Sequence, residues 1–176
     1  MRDGHMFKNR EEAARLLVDR LREYKGKSGI ILAIPRGGLV CGRIIADALE
    51  MPLEAIVAKK IPAPGEPELA IGAVCGNAVS WNHEIINALK VPDDYLRSEF
   101  EKVKLLVAEK EKRYRNAPLN LKGKICILTD DGIATGHTMA AAIEWAKKKG
   151  PQKFRYLNKL EIINKHTPTT WTKKLI

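Results

Sequence analysis

The chain has 176 residues, 45% of them hydrophobic and 30% charged, with a formal net charge of +10. This length and composition suit one soluble, globular domain. It holds no apolar run of the roughly 18 residues that would cross a membrane, and Met1-Arg2-Asp3-Gly4-His5-Met6 has no signal-like apolar region, so a cytoplasmic protein without a membrane partner is expected, Met6 being an alternative start.

In chain order, Asn9 is the expected cap of a helix running to about Tyr24, and Glu12 completes a capping box. Ala13, Leu17, Leu21 and Tyr24 form its apolar face. Residues 29–34 are a short, unbroken apolar run, which predicts a strand buried on both faces of a parallel sheet. Pro35-Arg36-Gly37-Gly38 interrupts it, and residues 39–49 read as a helix. Glycines let main-chain N–H groups approach a ligand, and Arg36 adds a charged fork suited to phosphate. A plain tight turn accounts for the glycines but not for Arg36.

Residues 53–58 predict the next strand, with Lys59 and Lys60 at its end. Three prolines and a glycine within residues 61–68 argue against helix or central strand. Residues 69–74 resume as a strand, hairpinned through Gly76-Asn77 to residues 78–81. A short helix over 82–89 and a longer one from Pro92 to about Arg115 follow. Leu96, Phe100, Val103, Val107 and Tyr114 keep helical spacing along the second.

Ile125-Cys126-Ile127-Leu128-Thr129 is a second buried-strand pattern, and it stops at two carboxylates, Asp130 and Asp131. Gly132-Ile133-Ala134-Thr135-Gly136-His137-Thr138 follows, and Met139 begins a helical pattern. The loop's main-chain N–H groups and the helix dipole favour an anion, and the threonine hydroxyls add donors. Adjacent buried carboxylates are costly unless they face polar ligands such as sugar hydroxyls or a metal. A phosphate cradle beside a diol-binding acid pair suits a ribose 5-phosphate.

Cys41, Cys75 and Cys126 are widely separated, and no His or Cys stands in metal-ligand spacing, so buried reduced thiols are expected and a structural zinc site is not. Residues 147–176 hold nine Lys and Arg against Glu161 alone, a net +8 that leaves +2 for the rest. The excess therefore reads as a solvated basic tail over 151–176, and nucleic acid is not the expected partner.

The stretch from Ile125 to Thr138 resembles the PRPP-binding motif of type I phosphoribosyltransferases, where PRPP is 5-phosphoribosyl-1-pyrophosphate. Pro35-Arg36-Gly37-Gly38 and Pro67-Glu68-Leu69-Ala70-Ile71-Gly72-Ala73 resemble an uncharacterised branch of that family. Gly132 departs from the aliphatic residue many relatives carry. The resemblance implies an α/β fold: a doubly wound, mainly parallel sheet flanked by helices. It implies transfer of phosphoribosyl from magnesium-PRPP to a nitrogenous acceptor, a nucleobase by expectation. Asp130 and Asp131 would bind the ribose diol and stand closest to any protein-bound magnesium. Gly132, Ile133, Ala134, Thr135, Gly136, His137 and Thr138 would wrap the 5-phosphate. Arg36, Gly37, Gly38 and Lys59 or Lys60, with Lys60 favoured, would meet the pyrophosphate. Residues 61–68 match the family's flexible closing loop; by composition they equally suit a rigid connector. A homodimer is the family-based expectation. The resemblance covers residues 6–150, and the end of the chain reads as atypical or truncated. A PRPP- or nucleotide-sensing regulator, or an inactive truncated homologue, are the alternative readings.

Overall fold

Five consecutive buried residues, Gly29–Ala33, form β1, and five more, Ile125–Thr129, form β6. Such unbroken burial belongs to strands covered on both faces, and the two pair in parallel from Gly29↔Ile125 to Ala33↔Thr129. The computed structural model describes residues 10–115, 117–130 and 136–157. Within them β2 (Leu53–Ala55) flanks β1, and β7 (Lys153–Leu157) flanks β6. The resulting parallel sheet has the order β2-β1-β6-β7. The alternating stretch after Gly150 is thus a strand of the sheet, while residues 158–176 lie outside the described residues.

Helices cover both faces, as expected of a doubly wound sheet. On one face, α1 (Arg10–Leu21) and α2 (Gly37–Leu49) pack Leu17, Leu21, Ile45 and Leu49 against Ile31 and Ile127. The expected cap, Asn9, lies outside the described residues, and a single 3-10 turn, Arg22–Tyr24, ends this helical stretch. On the other face, α5 (His137–Lys147) packs Ala142, Ile143 and Trp145 against Leu32, Cys126 and Leu128. All three cysteines are buried thiols outside any disulfide. Burial pushes the Cys126 thiol up to about 11 and raises that of Cys75 further, so both stay protonated and inert at neutral pH.

A second, antiparallel sheet has the order β3-β4-β5, built from Ala58–Ala63, Glu66–Cys75 and Ala78–Trp81. One face carries Ala73, Cys75 and Ala78 against the α5 side of the core. The other carries Ile61, Ile71 and Val74 against Val103 and Val107 of α4 (Asp93–Glu111). Between β5 and α4 lies α3 (His83–Ala88), whose cap Asn82 accepts a hydrogen bond from the Ile85 N–H.

Two expectations need correction here. The strand predicted over 53–58 is divided: the chain leaves the parallel sheet after Ala55, and β3 begins at Ala58. Ile56 and Val57 make the crossing, buried in different clusters. Residues 61–68, expected to avoid helix and central strand, form the turn end of the β3–β4 hairpin, and 66–68 open the central strand β4. Prolines fit because β3 is an edge strand and Pro62 sits at a register shift, where a missing N–H breaks little pairing. The Tyr95 hydroxyl donates to the Pro62 carbonyl (3.2 Å), holding this hairpin to α4.

Candidate active site

The connections from β1 and β6 diverge. From β1 the chain passes through α2 to β2 on one side; from β6 it passes through α5 to β7 on the other. Adjacent parallel strands with diverging connections leave a crevice at their carboxyl ends, the usual ligand position in open α/β sheets. Residues 34–36, singled out from the sequence, follow β1 there, and Asp130 follows β6.

The start of α2 is joined to the end of β6 through Gly38 and Thr129. A Cβ on Gly38 would stand 2.7 Å from the Thr129 carbonyl oxygen, so only glycine lets the start of α2 lie against the end of β6. The Thr129 hydroxyl is shared between the carbonyls of Gly38 (3.2 Å) and Leu32 (3.4 Å). The Ile34 N–H donates to the Thr129 carbonyl (3.1 Å). Arg36 caps α2 with its side chain exposed, and the Pro35–Arg36 peptide bond is cis. Gly37 and Gly38 open that helix.

Asp130 is half-buried at the mouth of β6. Asp131, Gly132, Ile133, Ala134 and Thr135 lie outside the described residues. Gly136, at φ 79°, caps α5 in the left-handed region, and the helix starts at His137, two residues before the predicted Met139. The first-turn N–H groups of a helix have no partner within it, so His137 and Thr138 present donors toward the crevice side of α5.

Lys59 and Lys60 lie within β3, not beyond a strand end. Their register separates them. Lys60 pairs with Ala73, and Ala73 with Ser80; Lys59 pairs with Val74, and Val74 with Val79. Cross-strand partners share a face, so Lys60 lies on the face of Ala73 and Ser80, which meets α5. Lys59 lies on the α4 face. Ser80 Oγ is 3.2 Å from His137 Nδ1, so the Lys60 row reaches the N-terminus of α5. Burial, and then the charge of His83, hold the His137 ring below its ordinary pKa. Ser80 and His83 were not singled out from the sequence; nothing local marks either, because their nearness to His137 is made by the packing of β5 and α3.

A glycine loop, a carboxylate and a helix N-terminus converge on one crevice, the arrangement expected for an anionic sugar ligand. The phosphoribosyl transferase domain family matches residues 6–157. The chain belongs to this family. Two Mycobacterium tuberculosis proteins, from strains CDC 1551 / Oshkosh and H37Rv, each bear the name "Putative phosphoribosyl transferase". Each is 32% identical over 151 residues, covering 84% of this chain and 34% of its own length. The chain thus spans about a third of these relatives. The crystal structure of TT1426 from Thermus thermophilus is 31% identical with a TM-score of 0.67, covering 86% of this chain and 74% of that one. A purine phosphoribosyltransferase from Pyrococcus horikoshii shares the fold at 21% identity and a TM-score of 0.51, over 83% and 69% of the two chains.

Proposed function

We propose that this chain transfers the 5-phosphoribosyl group of PRPP to a nitrogenous acceptor, a nucleobase, with release of pyrophosphate. The observation that supports this most is the joining of Gly38, at the start of α2, to Thr129, the strand-end residue before Asp130, beside the β1/β6 crevice. The 5-phosphate would rest on residues 134–138, with main-chain N–H groups at the start of α5 as donors. Asp130 and Asp131 would accept hydrogen bonds from the ribose diol. Arg36, Gly37 and Gly38 would hold the pyrophosphate, with Lys60 reaching in from the second sheet and Lys59 on the far face.

In the reaction the anomeric carbon–oxygen bond breaks, and pyrophosphate leaves with the electron pair. The acceptor nitrogen supplies the pair for the new carbon–nitrogen bond and gives up its proton. The chain's contribution is positioning of both partners and stabilisation of charge on the departing group. Asp130 is the expected magnesium-facing carboxylate among the described residues, where no group of three or more His, Cys, Asp or Glu side chains could hold a metal. One or two carboxylates suit a magnesium ion carried mainly by ligand phosphates. Such an ion would neutralise pyrophosphate charge.

The test is Asp130→Asn with Asp131→Asn, read by PRPP binding and by pyrophosphate release against a panel of purines and pyrimidines. Loss of both, with the fold intact by circular dichroism, is expected. Unchanged PRPP affinity overturns the assignment.

A further inference from the structure

Part of the chain's net charge of +10 is gathered by the fold in a way that residue order conceals. The loops entering β1, β6 and β7 lie side by side at the amino ends of these strands. Main-chain bonds stitch them together: Ile125 N–H to Ser28 (3.0 Å), Gly123 N–H to Gly150 (3.2 Å) and Gln152 N–H to Lys124 (2.9 Å). Lys27 and Lys122 in two of the loops and Lys153 at the start of β7 are exposed, and Lys124 is half-exposed among them. The lysine run 147–149 at the end of α5 adjoins. Segments 24–28, 121–124 and 147–153 contain no carboxylate; Glu50 reaches in to pair with Lys25 at 2.9 Å.

These cations are ordered. The Lys27 and Lys153 ammonium groups converge on the Tyr24 ring, 5.8 and 4.8 Å from its centroid. The Tyr24 hydroxyl accepts from Arg155 Nε (3.0 Å), and Lys149 lies 4.9 Å from the Trp145 ring centroid. Like charges held near one another repel, and an external anion relieves that repulsion at little ordering cost.

We propose that this amino-end face binds the phosphodiester backbone of a nucleic acid duplex, about 15 Å from the phosphoribosyl crevice along the five-residue strands. The cations are spread across adjacent strands roughly 4.8 Å apart, which suits a repeating anion better than one phosphate. Tyr24 and Trp145 are buried at 1% and 5% exposure, so neither offers a ring for base stacking; contact is through the backbone and independent of sequence. None of the exposed large apolar side chains among the described residues comes from these loops, which argues against insertion into a lipid surface.

The test is fluorescence anisotropy of the full chain with labelled RNA duplex, DNA duplex and single strand across a salt series. Lys27→Gln/Lys122→Gln/Lys153→Gln is compared with Lys104→Gln/Lys110→Gln/Lys112→Gln on α4 and its C-cap, which changes net charge equally. The face variant is expected to lower the log–log salt slope by about 3 and weaken binding on the order of tenfold at low salt, with the α4 variant within about twofold of the parent. Should the triple face variant melt early, Lys122→Glu alone, in an exposed turn, carries the comparison. Equal loss in both variants, no loss in either, or binding to the single strand but to neither duplex overturns the proposal.

Discussion

Gly38 and Thr129 meet from both sides: a Cβ on Gly38 would stand 2.7 Å from the Thr129 carbonyl oxygen, and the Thr129 hydroxyl donates to the Gly38 carbonyl at 3.2 Å. The obstacle a side chain would meet is backbone, which cannot turn aside. Gly38→Ala should therefore cost about 1–3 kcal/mol through overpacking, read by urea unfolding. It should also weaken PRPP binding by parting the two loops. Thr129→Val keeps the shape and strips a buried hydrogen bond, and should cost about 1–2 kcal/mol. A Gly38→Ala variant as stable as the parent would contradict the contact.

The register of the second sheet separates two neighbouring lysines. Lys60 shares a face with Ser80, and Lys59 with Val79. Lys60→Ala should raise the KM for PRPP, or the Ki of pyrophosphate, by roughly tenfold or more, the scale of a lost hydrogen bond to a charged group. Lys59→Ala should change either by less than about twofold. Equal effects would mean that the pyrophosphate is not held from this face.

His137 gives the fold a pH dependence of known sign. Its folded pKa lies below the ordinary histidine value through burial and the charge of His83. Between the lowered value and about 6.5 the unfolded chain holds the proton and the folded chain does not. Stability is thus complete above about pH 6.5 and falls as pH drops toward the folded value. The N-terminal end of α5, which disfavours a cation, acts in the same direction. Urea unfolding from pH 5 to 8 should show this slope, and His137→Gln should flatten it.

Gly76 turns the β4–β5 hairpin at φ 54°, and a Cβ there would collide with the Trp145 ring. Trp145 is 5% exposed and packed among Ile143 and Leu121, so the ring has nowhere to go. Gly76→Ala should cost roughly 2–4 kcal/mol, from left-handed strain together with overpacking. A thermal melt should show it as a drop of several degrees.

What was legible in the sequence was local. Residues 29–38 and 125–138 announce themselves as strand, glycine-bearing loop and helix because burial, turn and helix start are all written within about fifteen residues. The β3–β4 hairpin was misjudged because proline reads as a breaker, while tolerance for Pro62 comes from an edge position and a register shift that only pairing creates. Ser80 was invisible because its meeting with His137 spans 57 positions. The nearness of Lys27, Lys122 and Lys153 was hidden for the same reason: they come together only once the sheet has ordered its strands.

The pairing of Ala33 with Thr129 also has a kinetic meaning. These residues lie on the order of a hundred positions apart, and contacts of such separation form slowly because a long loop must close first. Local helices can appear early, but the crevice exists only once both halves of the chain have met. In a refolding experiment ligand binding should return after helical signal, and a fragment lacking either strand should recover helix without recovering a site.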